Sequence, residues 1–191
     1  MFRAFRSEVE DAVEAALTAL DLPTEDLGVE EPPEDVPATL ASSVAFRLAG
    51  VVGAAPPSVA QDVADAVDLA DAEYIARVDT QGPYVNFYVS DAYYADTLDQ
   101  VLPEVDVLVA STEDLAPAGY DGPPASVASD IQAVGPHTVL LTRGAAGAVA
   151  RATDAAPWGP AETTDEGFTV DDVDTTGAGD AFTAGAVHAL G

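Results

Sequence analysis

The sequence contains no cysteine and no lysine, and each absence excludes a class of chemistry. Without cysteine the chain forms no disulfide, zinc–thiolate centre or thiol nucleophile. This composition fits a reducing compartment, so we expect a cytoplasmic location. Six arginines are the only strong cations against 34 acidic residues, which gives a net charge of −28. The acidic side chains must therefore cover the surface.

Long apolar runs are also missing. The most apolar stretch, residues 44–60, is interrupted by Arg47, Pro56 and Pro57 and falls short of the ~20 residues that span a bilayer. Acids interrupt the apolar face of the N-terminus, unlike that of a secretory signal. We therefore expect no membrane partner. Because 48% of the residues are hydrophobic, the chain can still bury a core.

The acidic excess is spread along the whole chain, and two interpretations are open. An ordinary acidic protein is one, and a halophilic surface, which resembles that of proteins from salt-accumulating archaea, is the other. The second is favoured because such self-repulsion opposes compactness unless salt screens it, and the Debye length in molar salt is about 3 Å. So few cations also disfavour promiscuous nucleic-acid binding. Any RNA contact must be local.

Hydrophobic spacing predicts an α+β first domain over residues 1–98, with helices around a small antiparallel sheet. The helices are predicted at residues 2–20, 38–49, 58–67 and 92–102. Two predicted strands, residues 73–78 and 84–89, form a hairpin across a turn at 79–83. A short extended piece is predicted at residues 27–29.

The pattern changes after Pro103, where a second domain over residues 103–191 is predicted. Apolar runs at residues 105–109 and 139–141 flank a predicted helix at 127–134. Further strands are predicted through Val149 and at residues 168–170, before a terminal helix. This alternation is typical of an α/β domain with parallel strands and crossover helices.

Residues 174–180 read DTTGAGD and precede a helical pattern. Gly177 and Gly179 let a ligand approach the backbone closely. The free N–H groups and the dipole of the helix point at the same place. The segment is either an anion site or only a capped turn, and the flanking acids and paired threonines favour the anion site.

The run DTTGAGDAF resembles the signature of the ribokinase-like (PfkB) sugar kinases. The resemblance extends back through residues 105–109, 127–134 and 137–147 and covers about 103–191. It implies an incomplete α/β ribokinase-like domain and ATP-dependent phosphorylation of a carbohydrate or nucleoside hydroxyl. The family's N-terminal half and the segments after the terminal helix have no counterpart here, so we expect a second copy or a partner chain to complete the site.

The kinase resemblance also implies a role for individual residues. Asp180 would be the general base, and the N–H groups of Gly177, Ala178 and Gly179 would form the anion hole. With Gly179, the nucleotide would contact a loop that comprises Thr142, Arg143, Gly144, Ala145, Ala146 and Gly147. Asp174 and Thr176 would bind a monovalent cation, and Ser111 and Asp114 stand where the family supports magnesium. The implied cofactors are ATP, Mg2+ and K+.

The first half resembles a different family, the N-terminal additional domain of arginyl-tRNA synthetase. Residues 40–49, the Pro56–Pro57 pair and residues 81–87 carry this resemblance, which covers about 1–98. In that family the domain contacts the tRNA elbow, and Tyr84 and Asn86 match positions that read a D-loop base. Two residues apart on a strand they share a face, so the ring can stack while the amide bonds a base edge.

The alternative for this strand is that Tyr84, Phe87 and Tyr88 fill or cover a core. Aminoacylation by this chain alone is not expected, because its histidines, His137 and His188, lie outside any HIGH-type motif. Three functions therefore compete. The main interpretation is a reduced sugar-kinase-like phosphotransferase, and the alternatives are a tRNA-binding module or a non-functional fusion product.

Overall fold

The computed structural model describes residues 1–168 and 177–190. The chain divides into two compact units, Met1–Tyr94 and Ala95–Gly191. The division falls inside the helix Asp91–Val101, a little before the boundary near residues 99–104 that the sequence predicts.

Unit 1, Met1–Tyr94, combines helices with a small antiparallel sheet. Its elements are α1 (Phe2–Ala19), β1 (Val29–Glu30), β2 (Leu40–Ser42), α2 (Val44–Val52), α3 (Pro56–Ala66), β3 (Ile75–Gln81), β4 (Tyr84–Val89) and the start of α4 (Asp91–Val101). The strands lie in the order β1–β2–β4–β3, and every neighbouring pair is antiparallel. The fold class predicted for the first half is confirmed.

Helix α1 shows how the spacing of the sequence builds the core of unit 1. Phe5, Val9, Val13 and Leu17 follow one another at four-residue steps and are fully buried. They pack in one cluster with apolar residues of α2, α3 and the sheet. The helix predicted over residues 2–20 is therefore confirmed within one residue at its end.

The predicted helix over residues 38–49 is wrong in its first part, because Leu40–Ser42 forms the inner strand β2. A short apolar run does not distinguish a buried helix from a strand that is paired on both sides. Here β1 and β4 flank β2, and all of its residues are buried. The Ser42 hydroxyl donates to Leu27 O at 2.6 Å and accepts from Val44 N at 3.3 Å, where the strand gives way to α2.

The predicted hairpin of β3 and β4 is confirmed, but its turn is shorter than expected. Gln81 pairs with Tyr84, so only Gly82 and Pro83 connect the strands. Gly82 adopts a φ of 59°, which a glycine reaches without steric cost. This short turn fixes which residues of β3 lie opposite β4.

Unit 2, Ala95–Gly191, is an α/β unit with a mixed sheet. Its elements after α4 are β5 (Val107–Ser111), α5 (Thr112–Leu115), α6 (Pro124–Val134), β6 (Thr138–Thr142), β7 (Ala148–Ala152), β8 (Ala161–Asp165) and α7 (Ala178–Leu190). Strands β5 and β6 are parallel across α6, whereas β6, β7 and β8 are antiparallel. The α/β class is confirmed, while the expectation of parallel strands holds for β5 and β6 alone among the described residues.

The strand predicted at residues 168–170 lies mostly outside the described residues. Phe168 lies outside any strand and is 84% exposed. Residues 169 and 170 lie outside the described part of the chain. The strand that pairs with β7 is β8, whose residues are exposed and, apart from Ala161, polar, so the sequence holds no apolar pattern that would predict it.

Helix α6 packs on β6 and closes the core of unit 2. The buried cluster contains Leu102, Leu115, Val127, Ala128, Ile131, Val139 and Leu141. Gly135 follows α6, and a Cβ there would overlap the carbonyl of Leu102. Among the helices of the described residues, none has the length and apolar character needed to cross a bilayer.

Leu48→Ala tests the core of unit 1. Leu48 is fully buried in α2, so its truncation should lower the free energy of unfolding by about 2–5 kcal/mol. Val51→Ala on the same helix is the control, because Val51 is 62% exposed. Urea denaturation in molar KCl measures both, and equal effects would contradict the described packing.

Gly135→Ala tests the close approach in unit 2. Because the added methyl group meets backbone, we expect a loss of about 1–3 kcal/mol in the free energy of unfolding. Gly185→Ala in α7 has open space around its Cβ and should be neutral or stabilise by up to about 1 kcal/mol. Thermal melts of both variants decide, and a Gly135→Ala variant as stable as the parent would refute the contact.

Candidate nucleic-acid interface

The two faces of β4 differ in character. Val85 and Phe87 are fully buried in the helix-packed core, whereas Tyr84, Asn86 and Tyr88 alternate onto the opposite face. Phe87 is therefore a core residue, as one interpretation of the strand expected. Tyr84 and Tyr88 lie outside that core, on the outer face of the sheet.

Tyr84 and Asn86 line one groove on this outer face. The groove has a volume of about 660 Å³. Residues 81–83 at the hairpin tip contribute to one wall, and Pro32, Pro33 and Val36 before β2 contribute to the other. The lining is largely apolar, with the amide of Asn86 among a few polar groups, as is typical of small-ligand sites.

The ring of Tyr84 is 39% exposed and packs against Phe46 of α2. Their ring centroids lie 5.5 Å apart at an interplanar angle of 75°, the edge-to-face arrangement that aromatic pairs prefer. Phe46 thus holds the Tyr84 ring from one side. The exposed part of that ring borders the groove.

Asn86 is only 2% exposed, yet its side chain makes no hydrogen bond to any residue that the structure describes. Its backbone lies between Ala41 of β2 and Asp79 of β3. An amide side chain carries both a donor and an acceptor. In the groove wall, this amide offers both groups to a planar polar ligand.

A second group of polar side chains lies farther along the same face. The Arg77 guanidinium carbon lies 3.4 Å from the ring centroid of Tyr88, and the Tyr88 hydroxyl donates to Asp79 at 3.2 Å. Arg77 also forms an ion pair with Asp79. The hydrogen bond from the Arg77 guanidinium to the Asp79 carboxylate, more than the nearby Tyr88, raises the pKa of Arg77 above its ordinary value. The guanidinium therefore remains charged.

Sequence reasoning missed Gln81 and Arg77 as members of this face. Gln81 pairs with Tyr84, and Arg77 pairs with Tyr88. The alternation of β4 in the sequence predicts which of its own side chains lie on this face. The residues of β3 that pair with them can be assigned only once the length of the turn is known. The expected five-residue turn placed Gln81 in a loop.

Ser111 and Asp114, expected where kinases support magnesium, form a helix cap instead. The Ser111 hydroxyl accepts from Asp114 N at 3.0 Å and donates to the Asp114 carboxylate at 2.6 Å. Ser111 is thus the N-cap residue of α5, and the Asp114 carboxylate holds its hydroxyl in place. The pair thus has a local structural role.

The expected nucleotide loop connects β6 to β7 and packs against its own chain. It runs from Thr142 through Arg143 and the turn Gly144–Ala146, which contains Ala145, to Gly147. Arg143 donates to the carbonyl of Asp165 at 2.9 Å. The backbone of residues 165–167 lies so close to Gly147 that a Cβ would overlap it. Gly147 therefore accommodates the chain itself.

The DTTGAGD segment is described only from Gly177 onward. Gly177 has a φ of 79° and accepts from Ala181 N at 3.0 Å, while Ala178, Gly179 and Asp180 form the first turn of α7. All of these are exposed, and no residue from 177 to 189 is buried. Asp174 and Thr176 lie outside the described residues. Within residues 1–168 and 177–190, no group of three His, Cys, Asp or Glu side chains is placed to hold a metal ion.

Comparison with known sequences connects the first unit to one family. Residues 5–89 match the model of the arginyl tRNA synthetase N terminal domain. The arginine–tRNA ligase of Haloarcula marismortui is 66% identical over 101 residues, which cover 53% of this chain and 17% of that protein. That of Haloquadratum walsbyi is 68% identical over 102 residues, with coverages of 51% and 17%.

A more distant relative is the arginine–tRNA ligase of Methanothermobacter thermautotrophicus, 32% identical over 99 residues, with coverages of 51% and 17%. The chain thus spans about 17% of the length of these curated relatives. The resemblance stated for the first half is confirmed, because residues 5–89 match the model of the arginyl tRNA synthetase N terminal domain.

Solved structures resemble parts of the chain only weakly. The arginyl-tRNA synthetase of Thermus thermophilus has a TM-score of 0.41 at 23% identity and covers 56% of this chain and 18% of that one. The aminoimidazole riboside kinase of Salmonella enterica has a TM-score of 0.43 at 23% identity, with coverages of 54% and 33%. Similarity at this level carries no assignment of function.

The kinase function predicted for the chain is contradicted by these findings. The sequence relatives are arginine–tRNA ligases, while the kinase likeness is structural and weak. Sugar and nucleoside acceptors have no support. The roles expected of Asp180 and of the nucleotide loop stay untested, as do ATP, Mg2+ and K+. The tRNA-binding alternative agrees better with the relatives.

Proposed function

We propose that unit 1 is a tRNA-binding module that receives an unpaired base in the groove of Tyr84 and Asn86. One observation carries the proposal. The segment that matches the arginyl tRNA synthetase N terminal domain also lines one groove with the Asn86 side chain and the exposed aromatic ring of Tyr84. Stacking on aromatic rings and bonding to base edges is how proteins recognise unpaired RNA bases.

The charges around the groove define how the nucleotide would enter. Glu30 and Glu31 line the groove together with its prolines and would repel a phosphate. The base would therefore point inward, with the sugar–phosphate backbone on the solvent side. Tyr84 would cover one face of the base, and Asn86 would bond its edge.

The proposal is limited to binding. The chain spans about 17% of the curated arginine–tRNA ligases that it matches, so their ligation reaction is not transferred to it. Recognition of tRNA needs only the surface of unit 1. Unit 2 has no part in this proposal.

We also propose that the acidic surface is an adaptation to molar salt. The relatives from Haloarcula and Haloquadratum are 66% and 68% identical, against 32% for that from Methanothermobacter. In molar salt the charge of −28 is screened over about 3 Å, so it repels RNA phosphates only at contact. Short-range stacking and hydrogen bonds then decide affinity.

Tyr84→Ala and Asn86→Ala test the groove. Loss of stacking in Tyr84→Ala should weaken tRNA binding by about 5- to 100-fold, since a stacked base contributes about 1–3 kcal/mol. Asn86→Ala should weaken it by about 2- to 10-fold through loss of a hydrogen bond. Fluorescence anisotropy of labelled tRNA in molar KCl measures both variants of the full chain.

Tyr94→Ala is the matched control, because Tyr94 is 44% exposed but does not line the groove. It should bind tRNA as the parent does. Equal affinity of Tyr84→Ala and the parent would contradict the groove, and a folded parent that binds no tRNA would refute the module.

The salt dependence provides a second test. Most proteins lose nucleic-acid affinity as salt rises, because they release counterions from phosphates. Here affinity should stay constant or increase between about 0.2 M and about 2 M KCl, since salt removes the repulsion between an acidic protein and RNA. Binding titrations with circular dichroism at each salt concentration check this, and a steep loss of affinity by a chain that remains folded would contradict it.

A further inference from the structure

The outer face of the β3–β4 hairpin extends beyond the groove. Its cross-strand pairs, in order from the turn, are Gln81 with Tyr84, Asp79 with Asn86, and Arg77 with Tyr88. The groove is lined by both members of the first pair and by Asn86 of the second. The third pair continues the same surface away from the turn.

Arg77 differs from two other arginines of unit 1 in what its guanidinium contacts. Arg6 bonds Glu10 and the carbonyl of Val29, and Arg47 bonds the carbonyls of Pro23 and Asp26. Both bind the chain to itself. Arg77 instead lies on the ring of Tyr88, with 55% of its side chain exposed.

Asp79 orients this pair. Its carboxylate accepts from the Tyr88 hydroxyl and pairs with Arg77, so both planar groups are fixed from one side. A partly exposed guanidinium that is held over an aromatic ring can stack a base on its planar face, as a platform. Because Asp79 neutralises its charge, the platform does not rely on long-range attraction to phosphate, which molar salt suppresses.

We propose that Arg77, held on Tyr88, stacks a second unpaired nucleotide of the same RNA strand. This inference rests on the proposed function, in which Tyr84 and Asn86 hold the first base. Tyr84 and Tyr88 are four residues apart on one strand, or about 13 Å. That distance exceeds one stacking step of about 3.4 Å, so the two bases are splayed apart, as in an RNA loop.

Arg77→Gln and Arg77→Lys in the full chain test the platform in molar KCl. Both should weaken binding of labelled tRNA at least about fivefold, because lysine keeps the charge but lacks the planar stacking surface. Arg3→Gln is the matched control, since Arg3 is exposed on α1 and the change removes the same charge. It should leave affinity within about twofold.

Abasic substitutions in the tRNA loop identify the second base. Removing that base should cost the parent at least about fivefold in affinity and should cost Arg77→Gln nothing further. If Arg77→Lys bound tRNA with the affinity of the parent, the charge of Arg77 alone would explain its contribution, and the proposal would be overturned. The proposal would also be overturned if, at every loop position, the loss of affinity from the abasic substitution simply added to the loss from Arg77→Gln. If Tyr84→Ala weakens tRNA binding while Arg77→Gln does not, stacking on Arg77 is refuted and base binding in the groove is retained. A folded parent without tRNA affinity would refute both proposals.

Discussion

The strict alternation of β4 is the constraint on which unit 1 depends. Val85 and Phe87 anchor the sheet to the helices, and between them Asn86 reaches the other side. The core and the candidate interface are thus two faces of one strand. Because β4 lies between β2 and β3, its backbone is hydrogen-bonded on both edges. The side chains on its polar face are therefore attached to a backbone that the buried face holds in place.

Charge limits what this rigid face can do. An ordinary nucleic-acid-binding surface gains affinity from many cations, whereas this chain has six arginines against 34 acids. Two of the arginines in unit 1 bond backbone carbonyls, Arg6 that of Val29 in β1 and Arg47 that of Asp26. The proposed recognition of tRNA must then rely on fitted contacts at close range, and the Tyr84 ring with the groove-lining amide of Asn86 supplies such contacts.

The sequence predicted those elements whose pattern extends over several turns or alternations. The four-residue steps of α1 were sufficient to predict a helix, and the alternation of β4 was sufficient to predict a strand. The run at Leu40–Ser42 was too short to distinguish strand from helix until its two neighbours were known. Tyr84 and Asn86 were found from a family resemblance, while Arg77 required the register that the Gly82–Pro83 turn sets.

The two-residue turn also limits how this surface can diverge among related chains. Inserting one residue into it would shift β3 against β4 and change which β3 side chains border Tyr84 and Asn86, and a shift of β4 itself would move its aromatic and amide groups into the core. Insertions and deletions, by which loops usually diverge, would therefore disrupt the pairing of this hairpin. If the groove binds a base as proposed, its preference can change only by exchanging side chains on this fixed backbone.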